Sequence, residues 1–180
     1  GGVRVVVGAP PAEVPPLQLT VFRDKKPMEV MLKLAFEDGM GSGRLIHWAG
    51  AQIQAPHRGV RELGYLPAGG SGVYISRWHH GSPAHRYKLY ALHWVTAVND
   101  TPTPDLDAFM AAVAGLQHEQ FVRVKVVHLN TKVKVLTLRL DLHYWPTWEL
   151  RLDRTTGEWN RHVVQSHVRR GAGGGAPAAA

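Results

Sequence analysis

The sequence predicts a mainly β fold with short helices, in the α+β class, and three patterns support this. Apolar residues occupy every second position from Met28 to Phe36, which is the period of a strand with one buried face. The 19 glycines and 12 prolines separate many short apolar segments. Only one segment, which follows Pro102, has apolar residues at helical spacing over several turns. At 180 residues, the chain has room for one domain and part of another.

The N-terminal part predicts a strand and then a β-hairpin. The apolar run from Val3 to Val7 indicates a strand, which a proline-rich segment follows. The segment from Leu17 to Val21 alternates in polarity, and Arg23 to Pro27 has the composition of a turn. Because the alternation then resumes until Phe36, we expect two paired strands that share one buried face. A glycine-rich linker is predicted at 39–43.

The central part predicts short elements that follow one another closely. Leu45 to Gln54 indicates a strand that Gly50 interrupts. A short helix, a strand, a helical turn and another strand are expected at Arg58–Leu63, Val73–Trp78, Pro83–Leu89 and Trp94–Asn99. Asp100 to Pro102 has the residues of a turn.

The helix after this turn is predicted together with its start and its buried face. Thr103 is a favourable N-cap, and Pro104 suits the first helical position. The acidic residues Asp105 and Asp107 complement the helix dipole. The apolar stripe expected to face the core comprises Leu106, Phe109, Met110, Val113 and Leu116.

The C-terminal part predicts two further hairpins. Phe121–His128 and Val133–Leu142 are predicted strands that flank a short turn, and leucines alternate with polar residues in the second. The second hairpin is expected to turn at Thr155–Gly157. A tryptophan-rich extension lies between them, in which Trp145 and Trp148 are expected to be exposed and available to a neighbouring domain. The tail that follows contains only Gly, Ala and Pro from residue 171 onward and is predicted to be disordered.

The composition excludes several function classes. The chain has no cysteine, which excludes disulfides, cysteine-ligated zinc, iron–sulfur clusters and a cysteine nucleophile. No apolar run approaches the ~20 residues that span a bilayer. No serine lies in a Gly-x-Ser-x-Gly elbow, and the 11 histidines show no metal-ligand spacing. We therefore predict no catalytic residue, no metal site and no cofactor.

The charge favours acidic partners without identifying one. Lys and Arg number 21 against 14 Asp and Glu, which gives a net charge of +7. A basic surface attracts nucleic acid among other polyanions. The cations are scattered along the chain, however, instead of being concentrated on one helix or stripe. Nucleic-acid binding is therefore an alternative, and we do not expect it to be the main function.

One segment carries a family resemblance. Gly81-Ser82-Pro83-Ala84 is followed by a strand that ends in Val98-Asn99-Asp100. This order resembles PDZ domains of the HtrA (Deg) proteases, which have a Gly-Ser-Pro-Ala turn, a Gly-Leu pair, a Gly-Asp pair and a strand that ends in Val-Asn-Gly. Lys88 stands where the family has glycine, and Leu92-His93 stands in place of Gly-Asp. The resemblance is clearest from Arg44 to Leu140.

Two segments, Tyr87–Trp94 and His143–Glu149, resemble one branch of this family. That branch comprises the fungal nuclear HtrA-like pro-apoptotic serine proteases and related plant Deg enzymes. Its members are long, with two protease-like units before their PDZ domains. The resemblance implies that this chain is a C-terminal PDZ region without a catalytic triad, from a serine endopeptidase of the nucleus and/or cytoplasm. The upstream protease domains and further copies of the chain are then implied partners.

The resemblance also implies a domain organisation. We expect closing strands of a preceding PDZ-like domain at 1–38, a linker at 39–43, an HtrA-type PDZ domain with a partial β-barrel at 44–142, a Trp-rich extension at 143–168 and a disordered tail at 169–180.

A PDZ domain captures an extended peptide by adding it as a strand to a sheet edge beside a helix. By position, the carboxylate-binding loop is predicted at Trp48, Ala49, Gly50 and Ala51, and the peptide-pairing strand at Gln52, Ile53 and Gln54. The helix residues predicted to line the side-chain pocket are Phe109, Met110 and Val113. Arg44 is expected to add positive potential near the carboxylate. The alternative is that Gly50 marks a β-bulge and that the helical stripe belongs only to the core.

We therefore expect a peptide-binding and regulatory PDZ segment of an HtrA-like serine endopeptidase. It would capture hydrophobic C-termini or extended segments for proteolysis or regulation. The first alternative is a ligand-free PDZ scaffold for assembly of domains or subunits, whose groove is blocked by Trp48 or a neighbouring side chain. The second is a basic nucleic-acid-binding module, for which affinity would fall steeply with salt.

Overall fold

The computed structural model describes residues 15–34, 41–64, 67 and 70–167. The chain divides into two compact units between Gly41 and Ser42. The predicted strand at Val3–Val7, the end of the second strand at Phe36 and the predicted disordered tail at 169–180 lie outside the described residues.

The first unit contains the predicted hairpin, with β1 (Leu17–Arg23) antiparallel to β2 (Lys26–Leu32). The turn consists of Asp24 and Lys25, whose φ values of 52° and 61° match the tight turns that join antiparallel strands. One face of this hairpin is entirely apolar and comprises Leu17, Leu19, Val21, Met28, Val30 and Leu32. The hairpin is confirmed, but the burial expected for this face is absent, because its six residues are exposed or half-buried.

The second unit contains all other elements. In chain order they are β3 (Arg44–Trp48), β4 (Ala51–Gln54), α1 (Arg58–Glu62), β5 (Val73–Trp78), α2 (Pro83–Arg86), β6 (His93–Val98), β7 (Thr101–Pro102), α3 (Leu106–Val113), β8 (Phe121–His128), β9 (Val133–Arg139), β10 (Thr147–Leu152) and β11 (Trp159–Gln165). The sheet order is β11-β10-β3-β4-β5-β6-β8-β9, and β7 pairs with β6. The mainly β class is confirmed, and the sheet is open, with no closed barrel among the described residues.

The core of the second unit lies between α3 and the sheet. Helix α3 contributes Leu106, Phe109 and Val113, all buried, while Met110 is half-buried. Leu116 is also buried, just beyond the end of the helix. The predicted apolar stripe is therefore confirmed, because residues at helical spacing meet the inner face of the sheet.

The predicted start of α3 was wrong by two residues. Asp105 is the N-cap, and its side chain accepts a hydrogen bond of 2.8 Å from the backbone N–H of Ala108. Thr103 is instead fully buried beside β6. Its hydroxyl donates to the carbonyl of Val95, and its N–H donates to the carbonyl of Thr96. Thr103 therefore satisfies the edge of the sheet, and the helix begins only after it.

Candidate functional site

The predicted carboxylate-binding loop is a tight turn between antiparallel strands. Ala49 and Gly50 have φ values of 52° and 81°, the paired positive values of a type I′ turn. Trp48 pairs with Ala51 across this turn. The predicted single strand interrupted by Gly50 is therefore wrong, since β3 and β4 form a hairpin. Alanine gave no turn signal at position 49 because this backbone conformation costs a non-glycine residue roughly 1–3 kcal/mol.

Gly50 is required by space as well as by its backbone conformation. A Cβ atom at this position would lie 2.1 Å from the Cβ of Ser82 and 3.1 Å from Cε3 of Trp145. Contacts as short as the first do not occur between real side chains. The loop therefore touches both the turn before α2 and the segment before β10.

The loop carbonyls are held by the chain that follows β5. The carbonyl of Gly50 accepts a 2.9 Å hydrogen bond from the backbone N–H of His79 and lies 3.1 Å from its Nδ1. Because a carbonyl only accepts, Nδ1 of His79 carries the proton in this contact. The N–H of Ala84 donates to the carbonyl of Ala49 at 2.9 Å. These bonds fix the loop relative to α2.

The Gly-Ser-Pro-Ala turn is explained by the start of α2. Ser82 is fully buried and is the N-cap, and its Oγ accepts a hydrogen bond of 3.1 Å from the N–H of His85. The same hydroxyl donates to the carbonyl of His79 at 2.6 Å. Pro83 occupies the first turn, where its missing N–H leaves nothing unsatisfied. The motif therefore joins the end of β5 to α2 and holds the loop through the contacts of Ser82 with Gly50 and of Ala84 with Ala49.

The residues predicted to form the peptide site come together, mostly in the buried core. Those with no more than 1% exposure are Trp48, Ala49, Ala51, Ile53, Phe109 and Val113. Gln54 is also buried, and Gln52 and Met110 are half-buried. The helix and the loop therefore belong to one packed region.

Strand β4, which was predicted to pair with a peptide, is paired along both of its edges. On one side it pairs with β3, from Leu45 with Gln54 to Trp48 with Ala51. On the other side it pairs with β5, from Ala51 with Trp78 to Gln54 with Tyr74. Addition of a peptide to β4 therefore requires β3 to leave.

Strand β3 also contacts helix α3 at both ends. At one end, the rings of Trp48 and Phe109 meet edge to face, with centroids 5.6 Å apart. At the other end, Nη1 of Arg44 lies 2.6 Å from Oδ1 of Asp107. Thus β3 runs antiparallel to β4 beside α3, which is the path that a PDZ domain offers to a peptide.

Arg44 is neutralised by two carboxylates. Besides Asp107, its Nε lies 3.0 Å from Oε2 of Glu149 on β10. Burial by itself lowers the pKa of Arg44, but the hydrogen bonds to Asp107 and Glu149 outweigh it and raise the pKa. The hydrogen bond from Arg44 lowers the pKa of Asp107. Burial by itself raises the pKa of Glu149, but the hydrogen bonds from Arg151 and Arg44 outweigh it and lower the pKa. The positive charge of Arg44 is therefore already paired.

Comparison with known proteins decides the family. A PDZ-like domain family matches residues 40–119. Protease Do-like 7 of Arabidopsis thaliana is 53% identical over 150 residues, which cover 83% of this chain and 14% of that protein. The pro-apoptotic serine protease NMA111 of Debaryomyces hansenii is 32% identical over 145 residues, covering 81% of this chain and 14% of that protein. The chain belongs to the HtrA-like serine proteases, as a PDZ region.

This HtrA-like PDZ region spans about 14% of the length of these relatives. Its match to a PDZ-like family means that it is not the catalytic domain of such a protease. Within the described residues, no three His, Asp or Glu side chains are placed to hold a metal ion. No helix in the same ranges is long and apolar enough to cross a membrane.

The departures from the HtrA-type pattern fall at positions with left-handed backbone conformations. Three residues that replace glycines of that pattern have left-handed φ values: Lys88 at 64°, Leu92 at 65° and Asp100 at 65°. Asn99, at 45°, precedes Asp100 in the turn between β6 and β7. These positions therefore have the conformation that favours glycine, although glycine is absent from them. Sequence comparison alone made these positions look like losses.

The C-terminal extension covers the loop of this PDZ region. His47 stacks on Trp148 with ring centroids 4.6 Å apart and on Trp145 at 6.0 Å. Both tryptophans are half-buried, so the expectation that they are exposed was wrong. Burial lowers the pKa of His47, and the contact of its Nδ1 with the carbonyl of Pro146 opposes this only in part. Strand β10 pairs with β3 along the edge of β3 that faces away from β4.

Proposed function

We propose that this chain is a regulatory protein-interaction segment of an HtrA-like serine endopeptidase whose peptide groove is filled by its own strand β3. The observation that carries this proposal is the pairing of β4 on both edges. A groove that already holds a strand has no free main-chain groups to offer a second one. The domain then acts through its outer surfaces and holds domains or subunits of the parent protease together.

Strand β3 has the features of a built-in ligand. A bound peptide runs antiparallel to its partner strand, ends at the loop and places alternate side chains against the helix. Strand β3 runs antiparallel to β4 and ends at Trp48, directly before the loop. Ile46 and Trp48, two residues apart, are both fully buried. The peptide bond to Ala49 stands where a captured peptide would have its terminal carboxylate.

Amide hydrogen exchange of β4 tests this proposal. The two residues that flank a two-residue turn form both backbone hydrogen bonds with each other. The N–H groups of Ala51 and Ile53 therefore face β3. Those of Gln52 and Gln54 face β5 and serve as internal controls. We expect all four amides to exchange at similarly slow rates. Exchange of Ala51 and Ile53 at least ~100-fold faster than the controls, as at a solvent-exposed edge, contradicts an occupied groove.

Peptide capture by strand exchange is the second candidate function. The geometry that favours it is the path beside α3, which accepts an antiparallel strand of five residues. In this mechanism a hydrophobic C-terminus displaces β3 and pairs with the strand Gln52–Gln54. Its carboxylate then lies at the loop Trp48–Ala51, and its side chains contact Phe109, Met110 and Val113.

A variant that loosens β3 separates the two candidates. Arg44→Gln removes the ion pairs that tie β3 to α3 and β10, whereas Arg77→Gln removes an exposed cation from β5 and is the matched control. Strand exchange predicts that fluorescence polarisation detects peptides with a free, but not an amidated, C-terminus, with affinity roughly 10-fold higher for Arg44→Gln. The absence of such binding in both variants rejects strand exchange and favours the scaffold.

The cellular setting is part of the proposal. The fungal relatives are named pro-apoptotic serine proteases, and we propose a parent enzyme of the same kind, located in the nucleus and/or cytoplasm. Its upstream protease domains are the nearest partners for the outer surfaces of this segment. Fractionation of cells that express the tagged parent protein tests the location, and exclusion from both compartments contradicts it.

A further inference from the structure

A cleft outside the PDZ groove is lined by polar and basic side chains. It has a volume of about 270 Å³ and lies where α2, the turn before β8, the end of β9 and the segments beside β10 and β11 meet. The lining residues that carry a charge or an imidazole include Arg86, His118, Glu119, Arg139, Asp141, His143 and His167. None of them belongs to β3, β4 or α3, so the cleft is independent of the proposed function.

The two carboxylates of the cleft already have partners. Glu119 forms an ion pair with Arg139. Oδ1 of Asp141 accepts hydrogen bonds of 3.1 Å from the backbone N–H groups of His143 and Tyr144. Glu119 is therefore neutralised by Arg139, whereas Asp141 is held by two backbone N–H groups and keeps its charge.

The remaining basic groups offer donors. The guanidinium of Arg86 forms no ion pair within the described part of the chain. Nδ1 of His118 accepts a 3.1 Å hydrogen bond from the N–H of Leu142, so the proton of the neutral ring lies on Nε2. The ring of His118 stacks on His167, with centroids 4.3 Å apart, which holds its orientation. The guanidinium of Arg86 and Nε2 of His118 therefore have no hydrogen-bond partner among the described residues.

We infer that this cleft binds a carboxylate group, supplied by an acidic side chain of an extended polypeptide. A cleft of about 270 Å³ has room for one acidic side chain. A guanidinium binds a carboxylate through charge-assisted hydrogen bonds, and His118 adds a neutral donor. The net charge of +7 attracts acidic polypeptides to the protein as a whole.

Three labelled hexapeptides test this inference by fluorescence polarisation on the whole chain. The first contains two central glutamates and an amidated C-terminus, the second has glutamines in their place, and the third is the glutamine peptide with a free C-terminus. We expect the first to bind at least ~10-fold more tightly than the second. Binding of the third identifies a terminal carboxylate as another source of the same group, provided that the Arg86 variant loses it.

Matched variants locate the binding. Arg86→Gln is expected to weaken binding of the glutamate peptide roughly 10-fold, whereas Arg77→Gln, which removes one exposed cation elsewhere, leaves it unchanged. In NMR spectra, the imidazole signals of His118, His143 and His167 shift on binding, and that of His162 on β11 does not. Equal losses in the two arginine variants indicate general attraction to a basic surface and overturn the inference. The absence of a difference between the glutamate and glutamine peptides also overturns it.

Discussion

The indole of Trp48 and the ring of Phe109 meet edge to face, at an interplanar angle of 87° and a centroid distance of 5.6 Å. Both side chains are fully buried. Edge-to-face pairs of this kind contribute about 0.5–1.5 kcal/mol beyond the burial of their area. Because Trp48 ends β3 and Phe109 lies on α3, this contact holds the strand in the groove from within.

Truncation of Trp48 is predicted to be strongly destabilising. Trp48→Ala removes a fully buried indole and leaves a cavity beside α3, so we expect a loss of about 3–5 kcal/mol in the free energy of unfolding. Urea denaturation measures this loss. Trp159→Ala is the control, because Trp159 on β11 is 43% exposed and its truncation is expected to cost less than half as much. Similar losses for both variants would show that the groove is not part of the core.

Substitution of Gly50 is predicted to cost more than that of a glycine with the same backbone conformation but open surroundings. Gly50 and Gly157 have φ values of 81° and 76°. A Cβ at Gly50 meets Ser82 at 2.1 Å, whereas one at Gly157 meets nothing within 4 Å. We expect Gly157→Ala to cost about 1 kcal/mol from strain alone and Gly50→Ala at least ~2 kcal/mol more. Thermal and urea unfolding of both variants measure the difference, and equal costs refute the steric role of Ser82.

Acid is predicted to destabilise the second unit through His47. Burial lowers the pKa of His47 in the folded protein below its ordinary value of 6.5, so the unfolded chain takes up the proton first as pH falls. The contribution of neutral His47 to stability is therefore complete above pH 6.5 and decreases below it, by at most about 1.4 kcal/mol per pH unit. Urea unfolding at pH 7.5 and 5.5 measures the decrease.

Two histidine variants identify the source of this pH dependence. His47→Gln is expected to reduce the loss of stability between pH 7.5 and 5.5. Some loss remains, because burial also lowers the pKa of His93. His162→Gln, at an exposed position on β11, is expected to keep the full loss. An unchanged pH dependence in His47→Gln contradicts the role of this residue.

Hairpin β1–β2 is predicted to be much less protected from hydrogen exchange than hairpin β8–β9. An isolated two-stranded hairpin is at best marginally stable in water, and the apolar face of β1–β2 is not buried. By contrast, Val122, Val124 and Leu138 of β8–β9 are fully buried. We expect amides of β1–β2 to exchange at least ~100-fold faster. Equal protection of the two hairpins would contradict this prediction.

The same hairpin carries a proposal about domain organisation. We propose that residues 1–38 are closing strands of a preceding PDZ-like domain, whose other elements cover the apolar face from Leu17 to Leu32. A longer segment of the parent protein, which includes the residues upstream, is then expected to protect the amides of β1–β2. If the longer segment leaves their exchange unchanged, this assignment fails.

The elements of the sheet were largely predictable because their signals are local. Alternating polarity located β1, β2 and β9, and helical spacing located α3 and its buried face. The predicted start of α3 was wrong because Thr103 has a partner outside the helix. It forms hydrogen bonds with β6 instead of capping α3. A loop was predicted at Ala49 and Gly50, but the hairpin was missed because an alanine adopts a conformation that its sequence context did not indicate.

The candidate site was only partly predictable, and the cleft was not predictable at all. The position of the loop followed from the family pattern, and the position of the helix followed from the spacing of its apolar residues. The family pattern does not include β10, which pairs with β3. It also does not include Trp145 and Trp148, which stack against His47. The cleft joins segments from residue 81 to residue 167, and no spacing in the sequence brings Arg86 and His118 together.

Local sequence patterns were enough to predict a mainly β, cysteine-free PDZ region, since alternation, composition and the Gly-Ser-Pro-Ala turn are all properties of neighbouring residues. The identity of the strand beside α3 could be learned only from the folded structure. Any strand with unpaired main-chain groups and alternating apolar side chains satisfies the edge of β4 equally well. Strand β3 occupies that place because the turn at Ala49 and Gly50 keeps it covalently close, while a peptide must first pay the entropy of association.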